Sequence, residues 1–407
     1  MPSLLQALPF WLKLGFISFG GPAGQIALLH TELVERRRWI SEKRFLHALN
    51  YCMLLPGPEA IQLAIYISWL MHGMPGAVLA GVLFFLPAFV LLSLLAALYL
   101  HYGDVSVVAG IFYGIKPAVV AIVLFAAWRI GSKVLKNEWL YAIAVLAFVG
   151  IFVLDIGFPW IVLAAALIGW AGHAWVPQKF TPGAGHAASK QTYGSAWIDD
   201  ETPPPAHARF SWRKLLGLTA AFFIIGVAVL WLVRGEQTLL DMGEFFTTAA
   251  FLTIGGAYAV LPYVYQGAVE HYAWLTGPQM MDGLALGEAT PGPLIMVVTW
   301  VGYLGGGLLG AAVATFFTFL PSFWFILAGG PIVESTRENL RLAAPLLAIT
   351  AAVVGVIVNL AVFFAWHAFW PEGSSTQPFA GGVDGLAVVI AILSAVALWR
   401  GIDVLRV

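Results

Sequence analysis

The residues best suited to bind a small ion are glycines and prolines that interrupt apolar segments. The tripeptide Pro-Gly-Pro occurs at 56–58 and at 291–293, and each copy lies downstream of a glycine-rich break, at 20–24 or 255–257. Proline removes a backbone hydrogen bond from a helix, and glycine adds backbone freedom. A helix that restarts after such a break exposes N–H donors at the positive end of its dipole. The pattern therefore predicts a site for a small anion that needs no lysine.

We expect the four breaks to converge near the middle of a membrane, because paired interruptions at matching places in two halves mark the binding sites of transporters. The alternative is that each break is a kink that helps helices to pack. The residues expected to contact the anion are, in the first half, Gly20, Gly21, Pro22, Ala23, Gly24, Gln25, Pro56, Gly57, Pro58, Gln62 and Lys116. In the second half they are Gly255, Gly256, Ala257, Thr290, Pro291, Gly292 and Pro293.

Three ionisable residues in or beside apolar segments are candidates for proton coupling. Lys116 lies near the middle of the run 107–128, where it is suited to balance an anion's charge or carry a proton; pairing with a carboxylate is the alternative. Glu288 precedes the second Pro-Gly-Pro. Its carboxylate would repel an anion there when ionised and would accept one nearby only when protonated. Glu59 follows the first Pro-Gly-Pro, and its simpler role is a favourable charge in the first turn of a helix.

The composition predicts an all-α polytopic membrane protein. Of the 407 residues, 60% are hydrophobic and 10% are charged, whereas soluble proteins carry about 25% charged residues. The net charge of −1 gives no indication of a nucleic-acid partner. The sequence contains no nucleophile–base signature, metal-ligand spacing or nucleotide-binding loop, so we expect no catalytic residue, metal or cofactor. The expected partners are an anion, the lipid bilayer and, as one option, a second copy in a homodimer.

The chain repeats its own pattern after about 235 residues. Trp39-Ile40-Ser41 matches Trp274-Leu275-Thr276, and the two Pro-Gly-Pro tripeptides match at the same offset (291 − 56 = 235). The stretch 85–89 matches 319–323 at an offset of 234. A single one-residue gap therefore aligns more than about 100 residues, which indicates a duplicated fold.

Basic loop residues predict that the two halves have opposite orientations. The loop 31–44 carries five Lys or Arg residues, and its counterpart 266–279 carries none. Because basic loops stay in the cytoplasm, we expect inverted-topology repeats in the cell membrane, with both termini cytoplasmic. The predicted units are a first repeat over 1–158, an extra spanning helix over 159–175, a cytoplasmic and mostly disordered linker over 176–212, a second extra helix over 213–235 and the inverted repeat over 236–407.

The broken segments have two possible arrangements. We favour re-entrant hairpins over 4–30 and 45–72, each turning at its Gly/Pro break, with counterparts 244–265 and 281–300 that enter from the opposite face. This arrangement keeps the five basic residues of loop 31–44 in the cytoplasm. The alternative is four tilted helices that cross the membrane fully.

The motifs Phe-Gly-Gly-Pro-Ala-Gly-Gln at 19–25, Trp-Ile-Ser at 39–41 and Leu-Pro-Gly-Pro at 55–58, with their second-half echoes, resemble the chromate ion transporter family in its two-domain long form. The second copy departs from the pattern, since Ala257 replaces proline and the basic loop is missing. The resemblance implies efflux of chromate and hence chromate resistance, with sulfate as a close structural analogue. An uptake carrier for sulfate or another oxyanion and an anion channel are the alternatives; an intramembrane enzyme is more distant.

Overall fold

The computed structural model describes residues 2–19, 21–102, 105–180, 195–203, 205–254, 257–335, 343–371 and 379–402. These residues form α-helices, short π and 3₁₀ turns and one isolated β-bridge, so the prediction of an all-α protein is confirmed. The helices are α1 Leu4–Ile17, α2 Gly21–His30, α3 Glu42–Leu54, α4 Glu59–Tyr102, α5 Ser106–Val134, α6 Glu138–Phe152, α7 Phe158–Trp175, α8 Trp212–Leu232, α9 Gln237–Leu252, α10 Ala257–Tyr265, α11 Gly277–Ala289, α12 Val297–Ser335, α13 Ala343–Phe369 and α14 Gly385–Trp399.

Six helical segments among the described residues are long and apolar enough to cross a membrane, which supports a multi-pass membrane protein. Two of them, Phe158–Trp175 and Trp212–Leu232, correspond to the extra helices predicted between the repeats. The remaining four are Glu59–Tyr102, Phe112–Val134, Leu294–Pro331 and Ala344–Phe369.

The chain turns back at each predicted Gly/Pro break. In the first half, the rings of Phe10 and Trp39 lie 4.9 Å apart across the break between α1 and α2. The rings of Tyr51 and Tyr66 lie 5.9 Å apart across the first Pro-Gly-Pro. In the second half, the rings of Phe245 and Tyr263 stack at 4.8 Å across the break between α9 and α10.

At the second Pro-Gly-Pro, the Trp300 indole donates to the carbonyl of Gln279 at 3.0 Å, on the other side of the break. All four breaks therefore form helical hairpins. Whether these hairpins are re-entrant in the bilayer stays a prediction.

Two further turns lie inside α4 and α12. The Ser68 hydroxyl donates to the carbonyl of Gly76 at 2.8 Å, and the hydroxyls of Thr299 and Thr315 are 2.7 Å apart. Sixteen residues of straight helix would separate the latter pair by about 24 Å. Each helix is thus a tight antiparallel hairpin, and we call the segments α4a (59–72), α4b (74–102), α12a (297–305) and α12b (308–335).

The two tight turns repeat the same glycine conformation. Gly73 has φ 66° and ψ −152°, and Gly307 has φ 62° and ψ −156°, a region that is essentially closed to other residues. Their spacing (307 − 73 = 234) matches the offset between the repeats. The two halves thus share a local backbone geometry as well as a sequence pattern.

The equivalent helices α4b and α12b pack against each other. The rings of Phe85 and Phe319 stack there at 4.7 Å, and a side-chain carbon at Gly81 would touch the ring of Phe323. Gly81 precedes Phe85 on α4b, whereas its contact Phe323 follows Phe319 on α12b. The two helices therefore run antiparallel. Equivalent helices that run antiparallel are what inverted repeats require; the placement of each half relative to the membrane stays a prediction.

Part of the segment predicted as a linker packs against the first half. Ile198 pairs with Ile40 in a β-bridge and is buried. The Arg44 guanidinium donates to the carbonyl of Thr202 at 2.7 Å, and the His207 ring contacts the Trp69 carbonyl at 2.7 Å. The segment is thus anchored on the first half at Ile198, Thr202 and His207, although most of residues 195–203 and 205–212 are exposed, whereas 181–194 and 204 lie outside the described residues.

Replacing Gly307 with alanine should destabilise the protein by about 1–3 kcal/mol, because alanine rarely adopts the backbone conformation of this residue. The new side chain meets no neighbour within 4 Å, so the cost comes from the backbone and not from a clash. Gly217→Ala is the matched control, since this glycine lies in the regular helix α8 and its added carbon also meets nothing. Thermal unfolding in detergent measures both variants. Equal stability of the two would contradict the tight turn at 306–307.

Candidate functional site

The four breaks meet in two reciprocal pairs. The N–H of Gly292 donates to the carbonyl of Ser18 at 2.8 Å, and the N–H of Gly57 donates to the carbonyl of Thr253 at 2.7 Å. Ser18 and Thr253 end helices α1 and α9, and their spacing (253 − 18 = 235) is that of the repeats. Each half therefore supplies a donor from one break and an acceptor from the other.

The two pairs flank the crossing of α4b and α12b. A side-chain carbon at Gly292 would lie 2.7 Å from the Ala88 methyl, and one at Gly57 would lie 2.6 Å from the Ser322 hydroxyl. Ala88 and Ser322 each lie three residues, roughly one helical turn, beyond the stacked phenylalanines. The predicted convergence of the breaks thus has a geometric counterpart around this crossing.

Glycine is required at the centre of both Pro-Gly-Pro tripeptides. Gly57 has φ 121° and Gly292 has φ 116°, conformations that residues with a side chain rarely adopt. The close approach of Ser322 and Ala88 leaves no room for a methyl group in either place. The two tripeptides therefore bring their backbones against the opposite half.

Two buried glutamines from the first half brace these contacts. The Gln25 amide donates to the carbonyl of Gly292 at 2.6 Å and to that of Ser18 at 3.3 Å. The Gln62 amide donates to the carbonyl of Pro56 at 2.6 Å and lies 3.5 Å from the Ser322 hydroxyl. The Gln62 side-chain oxygen is buried and has no hydrogen-bond partner in the described part of the chain.

The polar side chains are distributed asymmetrically between the halves. At the repeat offset, Gln25 corresponds to Val260 and Gln62 to Val297, while Ser322 corresponds to Ala88. The first Pro-Gly-Pro therefore lies against two polar side chains, Gln62 and Ser322. Of these polar side chains, only Gln25 contacts the second Pro-Gly-Pro, through its amide. Two similar backbone frames thus carry different side-chain chemistry.

The other predicted contact residues lie at the breaks, where the structure describes them. Gly20, Gly255 and Gly256 fall outside the described residues, as does the side chain of Ala23. The partly buried residues are Gly21, Pro22, Gly24 and Pro56, and the buried ones are Pro58, Ala257, Thr290, Pro291 and Pro293. The Thr290 hydroxyl is used within its own chain segment, since it donates to the carbonyl of Gly287 at 3.2 Å.

The free N–H donors expected at the breaks are present in part. Those of Gly57 and Gly292 already bind carbonyls of the opposite half. In the first turn of α4, by contrast, the N–H groups of Ala60 and Ile61 have no acceptor among the residues described. These two donors point to the start of α4, beside the Gln62 amide and the Ser322 hydroxyl, as the strongest anion-binding position.

The two candidate glutamates lie at different breaks. Glu59 begins α4, and one of its buried carboxylate oxygens, Oε2, has no hydrogen-bond partner within the described ranges. Glu288 lies near the end of α11 and accepts a hydrogen bond from the hydroxyl of Tyr258, at the start of α10. Glu288 therefore bridges the two breaks of the second half.

Lys116 lies away from the breaks and pairs with Asp282, which is not among the residues predicted from the sequence. The Lys116 ammonium lies 3.6 Å from Oδ2 of Asp282, and the Tyr99 hydroxyl donates to the same oxygen at 3.0 Å. Asp282 is fully buried. An ionisable residue within a largely apolar helix, the signal that selected Lys116, also marks Asp282.

Comparison with known proteins places the chain in a family. The chromate transporter family model matches residues 5–170 and 240–406. A chromate transport protein of Pseudomonas aeruginosa is 35% identical over 86% of this chain and 79% of its own length. One of Cupriavidus metallidurans is 30% identical over 89% of this chain and 83% of its own, and a probable chromate transport protein of Synechococcus elongatus is 28% identical over 98% and 96%.

No solved structure matches the chain. The family match covers both repeats and leaves out most of the segment between them, as the internal duplication predicts. Members of this family are transporters rather than enzymes, and membership supports a chromate transport function. With its duplicated breaks, its all-helical fold and relatives aligned over most of its length, the chain belongs to the chromate transporter family.

Proposed function

We propose that the protein is a secondary transporter that exports chromate, or a closely similar oxyanion dianion, from the cytoplasm and so confers chromate resistance. Two relatives are named as chromate transport proteins and align with most of this chain. The observation that supports the proposal most is the reciprocal pairing of the four breaks, Gly292 with Ser18 and Gly57 with Thr253. It joins the two halves at the positions where a shared site would lie.

The anion would bind at the start of α4 through neutral donors. The N–H groups of Ala60 and Ile61 lie in the first turn of a long helix, next to the Gln62 amide and across from the Ser322 hydroxyl. Hydrogen bonds from neutral donors, together with the helix dipole, stabilise a dianion without a directly coordinating lysine. Glu59 lies in the same turn and favours anion binding only when it is protonated, which keeps it beside Glu288 and Lys116 as a candidate for proton coupling.

The membrane potential favours movement of a dianion out of the cell. Moving one elementary charge across 100 mV is worth about 2.3 kcal/mol, so a dianion leaving an inside-negative cell gains about 4.6 kcal/mol. Export of this kind needs no ATP, and the sequence contains no nucleotide-binding loop. The proposed driving force is therefore the membrane potential, with proton coupling as an added step.

Cells that produce the protein should accumulate less chromate than cells that lack it, and added sulfate should reduce the difference by competing for the site. Colorimetric or radiolabelled chromate measures the accumulation, with inverted membrane vesicles to fix the direction of movement. Greater accumulation in the producing cells would favour uptake, the alternative carrier function. Flux that fails to saturate and shows no exchange would favour a channel.

Ser322→Ala should raise the half-saturation concentration for chromate by about tenfold to 150-fold, because a hydrogen bond to a charged group contributes about 1.5–3 kcal/mol. Thr318→Val is the matched control: this buried hydroxyl lies one turn earlier in the same helix and donates to its own helix carbonyl, Ala314, at 2.7 Å. Transport kinetics in vesicles measure both variants. An unchanged half-saturation concentration in Ser322→Ala would move the site away from the first Pro-Gly-Pro.

A further inference from the structure

Asp282 is a buried carboxylate whose two oxygens have unequal surroundings. Its Oδ2 accepts a hydrogen bond from the Tyr99 hydroxyl at 3.0 Å and lies 3.6 Å from the Lys116 ammonium. Its Oδ1 is buried and has no hydrogen-bond partner in the ranges that the structure describes. An ionised carboxylate in this position is half-satisfied, and such groups inside membranes mark ion or proton pathways.

The side chains around Asp282 come from several packed helices. Lys116 on α5 and Tyr99 on α4b contact it directly. The other charged or titratable groups with described side chains on these and the other helices near α11 are His101 and Tyr102 on α4b, Tyr113, Arg129 and Lys133 on α5, Tyr258, Tyr263 and Tyr265 on α10, Glu288 on α11 itself, Tyr303 on α12 and His367 on α13. Lys116 is the only cation that pairs with Asp282 among the described residues, so the ion pair is electrically neutral while Asp282 is ionised.

Asp282 is linked through its own helix to the second Pro-Gly-Pro, whose Gly292 pairs with Ser18 in the other half. Helix α11 runs from Gly277 to Ala289 and leads directly into the second Pro-Gly-Pro. Asp282 precedes Glu288 by six residues (288 − 282 = 6), roughly 9 Å along the helix. A change in the contact between α5 and α11 is therefore transmitted along one rigid helix to a break.

We infer that Asp282 is a proton-binding site that determines whether the positive charge of Lys116 is compensated. When Asp282 takes up a proton, Lys116 loses its counter-charge and attracts the transported dianion. This inference rests on the proposed function and adds its coupling ion. Because linkage is reciprocal, a proton on Asp282 strengthens anion binding, and a bound anion strengthens proton binding. The proton and the anion thus occupy the protein together, and a dianion that moves with its proton carries a net charge of −1, which an inside-negative membrane potential still drives outwards with half the force that acts on the dianion alone.

The test is chromate exchange by the full-length protein in liposomes, with the same pH on both sides and pH values above that at which chromate itself takes up a proton. In the unmodified protein, the half-saturation concentration should rise by up to tenfold per pH unit as Asp282 loses its proton. Asp282→Asn, which resembles the protonated side chain, should keep a low half-saturation concentration that does not change with pH. Lys116→Met should give a high, equally pH-independent value.

Two controls separate this site from the neighbouring carboxylates. The inference assigns the coupled proton to Asp282 and not to the two other candidate carboxylates, so Glu288→Gln and Glu59→Gln should keep the pH dependence of the half-saturation concentration, whatever their effect on its value. Sulfate, which stays doubly charged over the whole range, should compete with the same pH dependence as chromate. An Asp282→Asn protein with the unmodified pH dependence would overturn the inference, as would a Glu288→Gln or Glu59→Gln protein that has lost it.

Tyr99→Phe keeps the test decisive if Asp282→Asn does not fold. This variant retains the ring that packs against Trp300 and removes only the hydroxyl that stabilises ionised Asp282. Asp282 should then hold its proton to a higher pH, so the rise in half-saturation concentration should shift to higher pH, and an unshifted profile would overturn the inference. Absence of any chromate exchange by the unmodified protein would instead refute the proposed function, whereas exchange without pH dependence would refute only the role of Asp282.

Discussion

The constraint on which this structure depends is that backbone polar groups in a membrane need partners within the protein. Each Gly/Pro break releases N–H and C=O groups that water would satisfy in a soluble protein but lipid does not. The breaks satisfy one another across the halves, through Gly57 with Thr253 and Gly292 with Ser18. Each half therefore supplies partners that the other half needs.

Reciprocal backbone pairing leaves the side chains around the breaks free to diverge. The conformations of Gly57 and Gly292 agree within a few degrees, with φ of 121° and 116°. The residue that faces each glycine differs, since Ser322 faces the first and Ala88 the second. One frame thus has polar contacts while the other is largely apolar, which suits a single asymmetric site for one ion better than two equal sites.

The sequence predicts what local residue types determine and misses what distant contacts determine. The four breaks and their offset could be predicted because glycine and proline act on their own backbone. The contact between Gln25 and Gly292, 267 residues apart, could not, since no local pattern encodes it. Asp282 carries the same signal as Lys116, an ionisable residue in a largely apolar helix, but the pairing of the two could not be predicted because they lie on helices far apart in the sequence.

The position of Lys116 has a consequence for release of the anion. Two unit charges 4 Å apart interact with about 4 kcal/mol at the effective dielectric of a protein, and the interaction falls to about half of that when the separation doubles. A lysine in direct contact with a dianion would hold it more firmly than one held on another helix by Asp282, whose weaker attraction is, in our proposal, switched by a single proton. In the proposed mechanism, binding by neutral donors at the breaks and charge control from a distance are complementary: the donors would select the ion, and the lysine would set how strongly it is held.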